Sequence, residues 1–353
     1  METEKNSGNR IDSIDGLRGW SAVGVVVFHI LLYERMSSMP FLVHSFDDFA
    51  RHFVMNSAQF MILLFVLSGF VLSLPYLKNE RSMNSLNDYR TFVVRRAKRL
   101  LPLYFCGFIF IASFVPHDLS PRAVIVTLAQ LSTLTFHFFH PFSAFPFNPA
   151  LWSLEMMWWC SLLIPLLLLM SRRYGMTSML CGLVCFSATA RGILTLDISR
   201  EYLAMHNIIT KIDTFAIGIY IAHLYVHRKW NAPPWILIGV GVLVLHGGLV
   251  LLTLAQGEVI SVRSSIISHF LVPSGWGMIT LGCLRSKSKF VDVIVRNRFI
   301  VYIGLACFSV YVWHTPIIIA IKPHLNIYRF IESIILLTAV STLSYTYIER
   351  SKR

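Results

Sequence analysis

Charged side chains are scarce in this chain: Asp, Glu, Lys and Arg together make up 14% of its 353 residues. A soluble globular protein carries about a quarter of its residues as these four types. So few charges cannot cover a water-facing surface, and the mean hydropathy of +0.63 points the same way. The composition therefore excludes the water-soluble enzyme folds.

Cysteine is also sparse, and its placement excludes two kinds of site. The chain has six cysteines, all within apolar stretches, with no paired spacing in a polar loop. Neither a disulfide framework nor a zinc site is indicated. His137 and His140 are a lone pair in a segment rich in Pro and Phe, which is not a ligand set for a metal. We therefore expect no metal.

Acidic residues are too few to balance the basic ones. There are 18 Asp and Glu against 31 Lys and Arg, a formal net charge of +13. The basic residues lie mostly in short links between apolar blocks instead of forming one patch. That distribution is a signal of membrane topology, so we do not infer nucleic acid as a partner.

The apolar residues come in blocks of about twenty, the length that a helix needs to cross a bilayer. We predict an all-α polytopic membrane protein with about ten transmembrane helices. The predicted spans are Gly16 to Glu34, Val54 to Leu74, Leu100 to Val115, Leu151 to Met170, Met176 to Leu194, Ile208 to Val226, Trp235 to Leu254, Ser264 to Leu284, Phe299 to Ile321 and Tyr328 to Tyr347.

One further stretch, Ala123 to Phe139, is ambiguous because it is short and runs into a proline-rich segment. If it does not cross, nearly every basic cluster lies on one side of the membrane; if it crosses, the clusters divide between the two sides. The positive-inside rule favours the first arrangement. We therefore predict a re-entrant or interfacial segment near 123–147, both termini in the cytoplasm, and localisation in the inner membrane.

Two ionisable residues, Arg18 and His29, lie inside the first apolar block, where such groups are costly. They are eleven positions apart, close to three helical turns, so both point to one face about 16 Å apart. An imidazole there can act as a general base, because its ordinary pKa lies near neutrality. The alternative is a His29 that simply hydrogen-bonds a neighbouring helix.

A basic cluster precedes the third span in the segment VVRRAKRLLPLY. It contains Arg95, Arg96, Lys98 and Arg99. Guanidinium groups bind phosphate through two parallel hydrogen bonds, so this cluster is a candidate clamp for a phosphorylated cofactor. The alternative is an ordinary stop-transfer cluster in contact with anionic lipid head groups.

The start of the fourth span carries Ser153 and Glu155. Glu155 could stabilise the helix N-terminus or orient a substrate hydroxyl near His29. In the sixth span, Lys211 and Asp213 fall on different helix faces, and we expect them to bond other helices rather than each other.

The ninth span carries Ser309 and His314 toward the outer half. They are candidate supporting residues for a substrate site. Glu349 and Arg350 end the last span, and we expect them to be ordinary anchors at the cytoplasmic surface.

Taken together, a set of short segments resembles the membrane acyltransferase-3 family of bacterial O-acyltransferases. The segments occur in family order over nearly the whole chain: GLRGWSAVGVVVFH, LFVLSGF, RRAKRLLPLY, LWSL followed by Pro165, KIDTFAIG, FSVYVWHTP and the terminal YIER. None of these segments is specific by itself, but the ordered set is.

The resemblance implies an integral-membrane O-acyltransferase, most simply an O-acetyltransferase. The family's two functional signatures map to Arg18 with His29 and to Arg96 with Arg99. The implied donor is acetyl-CoA, or another acyl-CoA, on the cytoplasmic side. The implied acceptor is a hydroxyl of a glycan or glycoside, such as a surface polysaccharide, a lipo-oligosaccharide or an antibiotic glycoside.

The chain departs from the family pattern at two places. The family's glutamate usually stands where this chain has Met157, and Glu155 occupies a position where serine is common. The motif of the sixth span usually begins with Arg, which here is Lys211. We also expect residues 1–353 to form a single integral-membrane domain without the soluble extracytoplasmic domain that some relatives carry.

The residues alone leave rival functions open. A transporter or flippase for a glycan or lipid-linked intermediate would use His29 as a proton relay and the basic cluster as a lipid anchor. We see no inverted repeat of broken helices of the kind that many transporters have. A non-enzymatic membrane scaffold would make His29 dispensable. For an acyltransferase, His29 could act as a base or carry the acyl group transiently.

Overall fold

The computed structural model describes residues 10–35, 56–112, 120–139, 148–196, 207–227, 232–256, 259–261, 263–322 and 326–350. Within these ranges the chain is helical and contains no β-strand, as its composition predicts. The helices are α1 Asp12–Arg35, α2 Phe60–Leu77, α3 Leu86–Ala112, α4 Pro121–Ser132, α5 Phe136–Phe139, α6 Trp152–Leu162, α7 Ile164–Tyr174, α8 Met176–Leu194, α9 Ile208–His227, α10 Pro234–Gln256, α11 Ser268–Arg285, α12 Lys289–Ile294, α13 Arg298–Leu305, α14 Cys307–Ile321 and α15 Ile327–Ser344. A π-helical turn, Tyr345–Glu349, extends α15.

Seven helical segments within the described ranges are long and apolar enough to cross a membrane, and two bent helix pairs raise the number to nine. These nine coincide with nine of the ten predicted spans. The remaining prediction, Leu100 to Val115, falls on the second half of α3 and continues past Ala112 into 113–115, which lie outside the described residues. Because the first half of α3 is basic, this helix is not among the nine segments that are apolar enough to cross a membrane.

Two of the predicted spans are not continuous helices. The fourth breaks at Leu163 into α6 and α7, bent by 44°. Pro165, which stands in the first turn of α7, has no backbone N–H to continue α6, so the helix restarts there. The ninth breaks at Ala306 into α13 and α14, bent by 76°. No proline marks that second break, and the sequence pattern did not reveal it.

The ambiguous segment from Ala123 to Phe139 forms two short helices instead of a span. α4 has 12 residues, which reach about 18 Å, well short of the roughly 30 Å of a bilayer core. The Tyr104 hydroxyl donates to the backbone oxygen of Leu131 at 3.0 Å, which ties this segment to α3. Residues 140–147 of the predicted re-entrant stretch lie outside the described residues.

The start of α3 is capped by its own side chains. Backbone N–H groups of Asn84 and Ser85 donate to the Asp88 carboxylate at 2.9 and 3.1 Å. The Ser85 hydroxyl in return accepts from the Asp88 N–H at 3.1 Å, which completes a capping box. The bond from Asn84 lowers the pKa of Asp88. The cap fixes the beginning of the helix that carries the basic cluster.

Helix α1 packs unusually close to α13. A Cβ atom on Gly19 would overlap the backbone oxygen of Ile300, and one on Gly304 would overlap the backbone oxygen of Asp15. Small residues at such positions let two membrane helices approach through their backbones. Arg18 lies on α1 between the two contact positions, Asp15 and Gly19. The contact therefore places Arg18 near the break at Ala306.

The basic clusters meet at one end of the bundle. Arg172 donates to the side-chain oxygen of Asn84 at 2.8 Å, which joins the end of α7 to the start of α3. Arg296 donates to the Ser13 hydroxyl at 2.7 Å, which joins the loop before α13 to the start of α1. This grouping is the one expected if Ala123 to Phe139 does not cross.

The grouping generates a test of orientation by cysteine labelling. In a variant without the six native cysteines, Arg173→Cys and Lys287→Cys should be protected from an impermeant reagent outside intact cells, because positive loops are retained in the cytoplasm. Leu196→Cys and Val259→Cys, at the opposite helix ends, should react. External labelling of the first pair would reverse the predicted orientation.

Candidate active site

The three arginines of the two sequence signatures come together at the basic end. Arg99 and Arg18 lie close enough to Arg96 for their positive charges to repel its charge. The Nε atom of Arg96 donates to the Ser161 hydroxyl at 3.4 Å. Arg18 also lies 3.6 Å from the Asp15 carboxylate. Arg95 points elsewhere and donates to the Tyr76 hydroxyl at 3.5 Å. Arg18 therefore belongs with Arg96 and Arg99.

Glu349 is not an ordinary anchor, and that expectation is wrong. Its side chain is 3% exposed and accepts a hydrogen bond from the Ser309 hydroxyl at 3.1 Å. The π-helical turn at the end of α15 carries it inward. Cys307, the first residue of α14, lies within electrostatic range of both Glu349 and Arg18. Ser309 thus helps to position a carboxylate at the arginine cluster.

His29 and His314 form a second cluster, from α1 and α14. The His29 Nδ1 and His314 Nε2 atoms are 3.3 Å apart, and the ring centroids are separated by 4.8 Å. His314 is fully buried, while His29 is half-buried. The sequence analysis identified each histidine separately as a candidate site residue. In the folded protein the two rings are in contact.

Backbone carbonyl groups assign the tautomers of the two neutral rings. The Nδ1 atom of His29 lies 2.9 Å from the Val25 oxygen, and that of His314 lies 2.7 Å from the Tyr311 oxygen. A carbonyl oxygen only accepts, so each Nδ1 carries the hydrogen. The single lone pair of His314 Nε2 can then accept from the Thr315 hydroxyl at 3.0 Å, and the His29 ring packs against His314 at 3.3 Å.

This assignment leaves the Nε2 atom of His29 with a lone pair. It makes no hydrogen bond to any residue that the structure describes. A positioned imidazole nitrogen of this kind can take a proton from a hydroxyl group that approaches it. The hydrogen bond from His29 Nδ1 to the Val25 oxygen holds the ring in place while it does so.

Ser153 joins the histidine cluster through a tyrosine. Its hydroxyl lies 2.5 Å from that of Tyr311, which also donates to the Ala150 oxygen at 3.0 Å. The Tyr311 and His314 rings are 5.3 Å apart. Asn148, which the sequence analysis did not single out, donates to the Val312 oxygen at 2.9 Å. These bonds fix the start of α6 against α14.

Glu155 lies against helix α3. It is fully buried and accepts a hydrogen bond from the Tyr104 hydroxyl at 3.1 Å. The bond joins α6 to α3, one turn after Arg99. Glu155 therefore connects the helix of Ser153 to the helix of the basic cluster.

The two clusters lie along the same pair of helices. On α1, Arg18 and His29 are eleven residues apart, about 16 Å. On α14, Cys307 and His314 are seven residues apart, about 10 Å and close to two turns. The helices pack against each other, so the arginine cluster and the histidine pair lie at two levels of the same helix pair.

Asp213 lies apart from both clusters. Its carboxylate is fully buried and pairs with Arg191 of α8 at 2.9 Å. Arg191, which also bonds the Thr210 oxygen, was missed by the sequence analysis. Its signal was a single arginine inside an otherwise apolar helix. The expectation that Asp213 bonds another helix rather than Lys211 is confirmed.

Comparison with known proteins bears directly on this arrangement. The model of a family described as acyltransferase domain, the acyltransferase-3 family, matches residues 11–349. The chain belongs to this family. The expected resemblance is therefore confirmed, and the family favours an acyltransferase over the transporter, flippase or scaffold.

Curated relatives of this acyltransferase domain come from Staphylococcus aureus. A protein of strain COL provisionally named O-acetyltransferase SACOL0978 is 24% identical over 378 residues, which cover 96% of this chain and 56% of that protein. O-acetyltransferase OatA of strain NCTC 8325 is 23% identical over 366 residues, with the same coverage of 96% and 56%. The chain thus spans about half the length of these relatives. No solved structure matches.

The buried ion pair of the acyltransferase domain generates a stability prediction. Asp213→Asn leaves Arg191 buried without its counter-charge, a change that costs about 3–5 kcal/mol in proteins. We expect a markedly lower unfolding temperature of the purified protein, measured by intrinsic fluorescence.

The control for this variant is Glu332→Gln, which removes an ion pair with Arg329 whose two side chains are 51% and 55% exposed. Its effect should be below about 1 kcal/mol. A stable Asp213→Asn protein that has lost activity would instead assign Asp213 to the substrate.

Proposed function

We propose that this protein is an O-acetyltransferase that moves an acetyl group from acetyl-CoA to a hydroxyl of a glycan or glycoside. The observation that carries the proposal is the geometry of His29, whose Nδ1 donates to the Val25 oxygen at 2.9 Å and whose Nε2 makes no hydrogen bond to any residue that the structure describes. The family and the names of the relatives support the reaction class.

The transfer begins with the acceptor hydroxyl bound next to His29. The Nε2 atom takes the hydroxyl proton while the oxygen attacks the thioester carbonyl carbon. The new C–O bond forms, the C–S bond breaks, and the proton passes from His29 to the leaving sulfur, which yields the ester and free CoA. The Val25 oxygen stabilises the transient imidazolium by accepting the hydrogen bond from Nδ1.

The donor enters at the basic end of the bundle, on the cytoplasmic side. Arg96 and Arg99 bind its phosphates, and the thioester reaches along α1 to His29. The separation of about 16 Å between Arg18 and His29 excludes Arg18 from stabilising charge at the reacting carbonyl. Arg18 therefore supports donor binding.

Replacing the base should separate catalysis from folding. His29→Ala removes the proton acceptor but little packing, so we expect acetyl transfer to fall by roughly a hundredfold or more with protein abundance nearly unchanged. The assay follows thiol release from acetyl-CoA by purified protein with an added glycan acceptor. His246→Ala, on an exposed face of α10, is the matched control.

The same preparation tests the alternative in which His29 carries the acetyl group. With radiolabelled acetyl-CoA and no acceptor, direct transfer predicts no label on the protein after denaturation. A stable label that disappears in His29→Ala would establish the acyl-histidine route, and activity retained in His29→Ala would refute both roles.

Substitutions at the arginines test donor binding. A charge-assisted hydrogen bond contributes about 1.5–3 kcal/mol, so Arg96→Ala or Arg99→Ala should raise the donor KM roughly tenfold or more. Lys at either position keeps the charge but cannot form the two parallel hydrogen bonds of a guanidinium group, so it should restore only part of the donor affinity. The acceptor KM should hardly change. Full activity in both Lys variants would contradict the phosphate clamp.

A further inference from the structure

A polar cavity of about 510 Å³ opens at the basic end of the bundle, and the transfer step described above does not use it. Its volume lies in the range of about 300–1,000 Å³ that is usual for small-molecule sites. The ends of α2, α7, α8 and α9 form its walls. The residues that matter for the argument are Tyr76, Asn79, Arg172, Thr177, His223 and His227.

The cavity is suited to an anion. Arg172 lines the cavity and is oriented by the hydrogen bond of 2.8 Å to Asn84. The hydroxyl groups of Thr177 and Ser178 supply further donors, and no Asp or Glu of the described residues lines the wall. Guanidinium and hydroxyl groups without a competing carboxylate are the usual partners of phosphate.

Another part of the lining offers imidazole rings. Tyr220 and His223 on α9 have centroids 6.4 Å apart and planes inclined by 29°, and the His227 ring lies 4.4 Å from His223 with its plane tilted by 55°. His223 and His227 both line the cavity, and His227 is exposed. Aromatic and imidazole faces of this kind stack nucleobases.

The cavity adjoins helix α3, which carries the arginine cluster. Tyr76 lines it and accepts a hydrogen bond from Arg95 at 3.5 Å. Arg96 and Arg99 follow within the next turn of α3. An extended ligand could therefore place one phosphate by Arg172 and others at α3 without leaving the protein surface.

We propose that this cavity binds the phosphorylated adenosine end of the acyl-CoA donor, with adenine against His227 and the ribose phosphate on Arg172. The inference rests on the proposed function, because it takes the donor from there. The pyrophosphate of the same donor then lies at Arg96 and Arg99, and the pantetheine arm runs along α1. Arg172 and His227 thus distinguish CoA from a smaller thioester.

The test compares two donors in the full-length purified protein. Arg172→Gln and His227→Ala should each raise the KM for acetyl-CoA by about fivefold to tenfold, with kcat unchanged. The KM for S-acetylpantetheine, which lacks the nucleotide, should be equal in variants and wild type. Arg173→Gln is the matched control, because Arg173 is the adjacent exposed arginine and does not line the cavity.

Direct binding of adenosine 3′,5′-bisphosphate, measured by equilibrium dialysis, makes the inference independent of turnover. Wild type should bind it, Arg172→Gln and His227→Ala should lose most of the binding, and Arg172→Lys should keep part of it. Equal binding in all variants would overturn the assignment, as would binding of anionic lipid head groups alone. If wild type binds the bisphosphate through these residues but transfers no acetyl group from acetyl-CoA, the proposed function fails and the nucleotide site stands.

Discussion

The close contact between α1 and α13 is the constraint on which the rest of the site depends. Gly19 and Gly304 let the two backbones meet, and the chain then turns by 76° at Ala306 so that α14 runs beside α1. Arg18 is thereby placed at the basic end, and His29 is placed opposite His314. A side chain in place of either glycine would separate the helices and both clusters with them.

The proposed mechanism separates donor binding from proton transfer, for a physical reason. Guanidinium groups lie at the basic end, where Arg18 pairs with Asp15 at 3.6 Å. Deeper in the bundle a charged group would be expensive, and the pair found there is two imidazoles, His29 and His314. In the proposed mechanism His29 becomes charged only briefly, while the Val25 oxygen accepts its hydrogen bond.

Buried polar groups in this protein mostly join helices. The Arg191–Asp213 pair, the Tyr104–Glu155 bond and the Ser153–Tyr311 bond each connect two different helices. Hydrogen bonds of this kind orient helices in a bilayer, where apolar packing alone gives little preference for one arrangement. Ser153 and Glu155 therefore belong to the frame that holds the histidines.

The sequence by itself determined the class of protein and nine candidate spans, and it predicted that Ala123 to Phe139 does not cross and that Arg18 and His29 share one helix face. These properties follow from local hydropathy, charge and the helical repeat. Only the tertiary structure decided that His29 meets His314, that Arg18 belongs with Arg96, that Glu349 is buried beside Ser309, and that Arg191 partners Asp213. Those contacts join residues from different helices, and the break at Ala306 that brings several of them together has no proline to announce it. Helix packing, which depends on the shapes of whole faces, settles what a one-dimensional pattern leaves open.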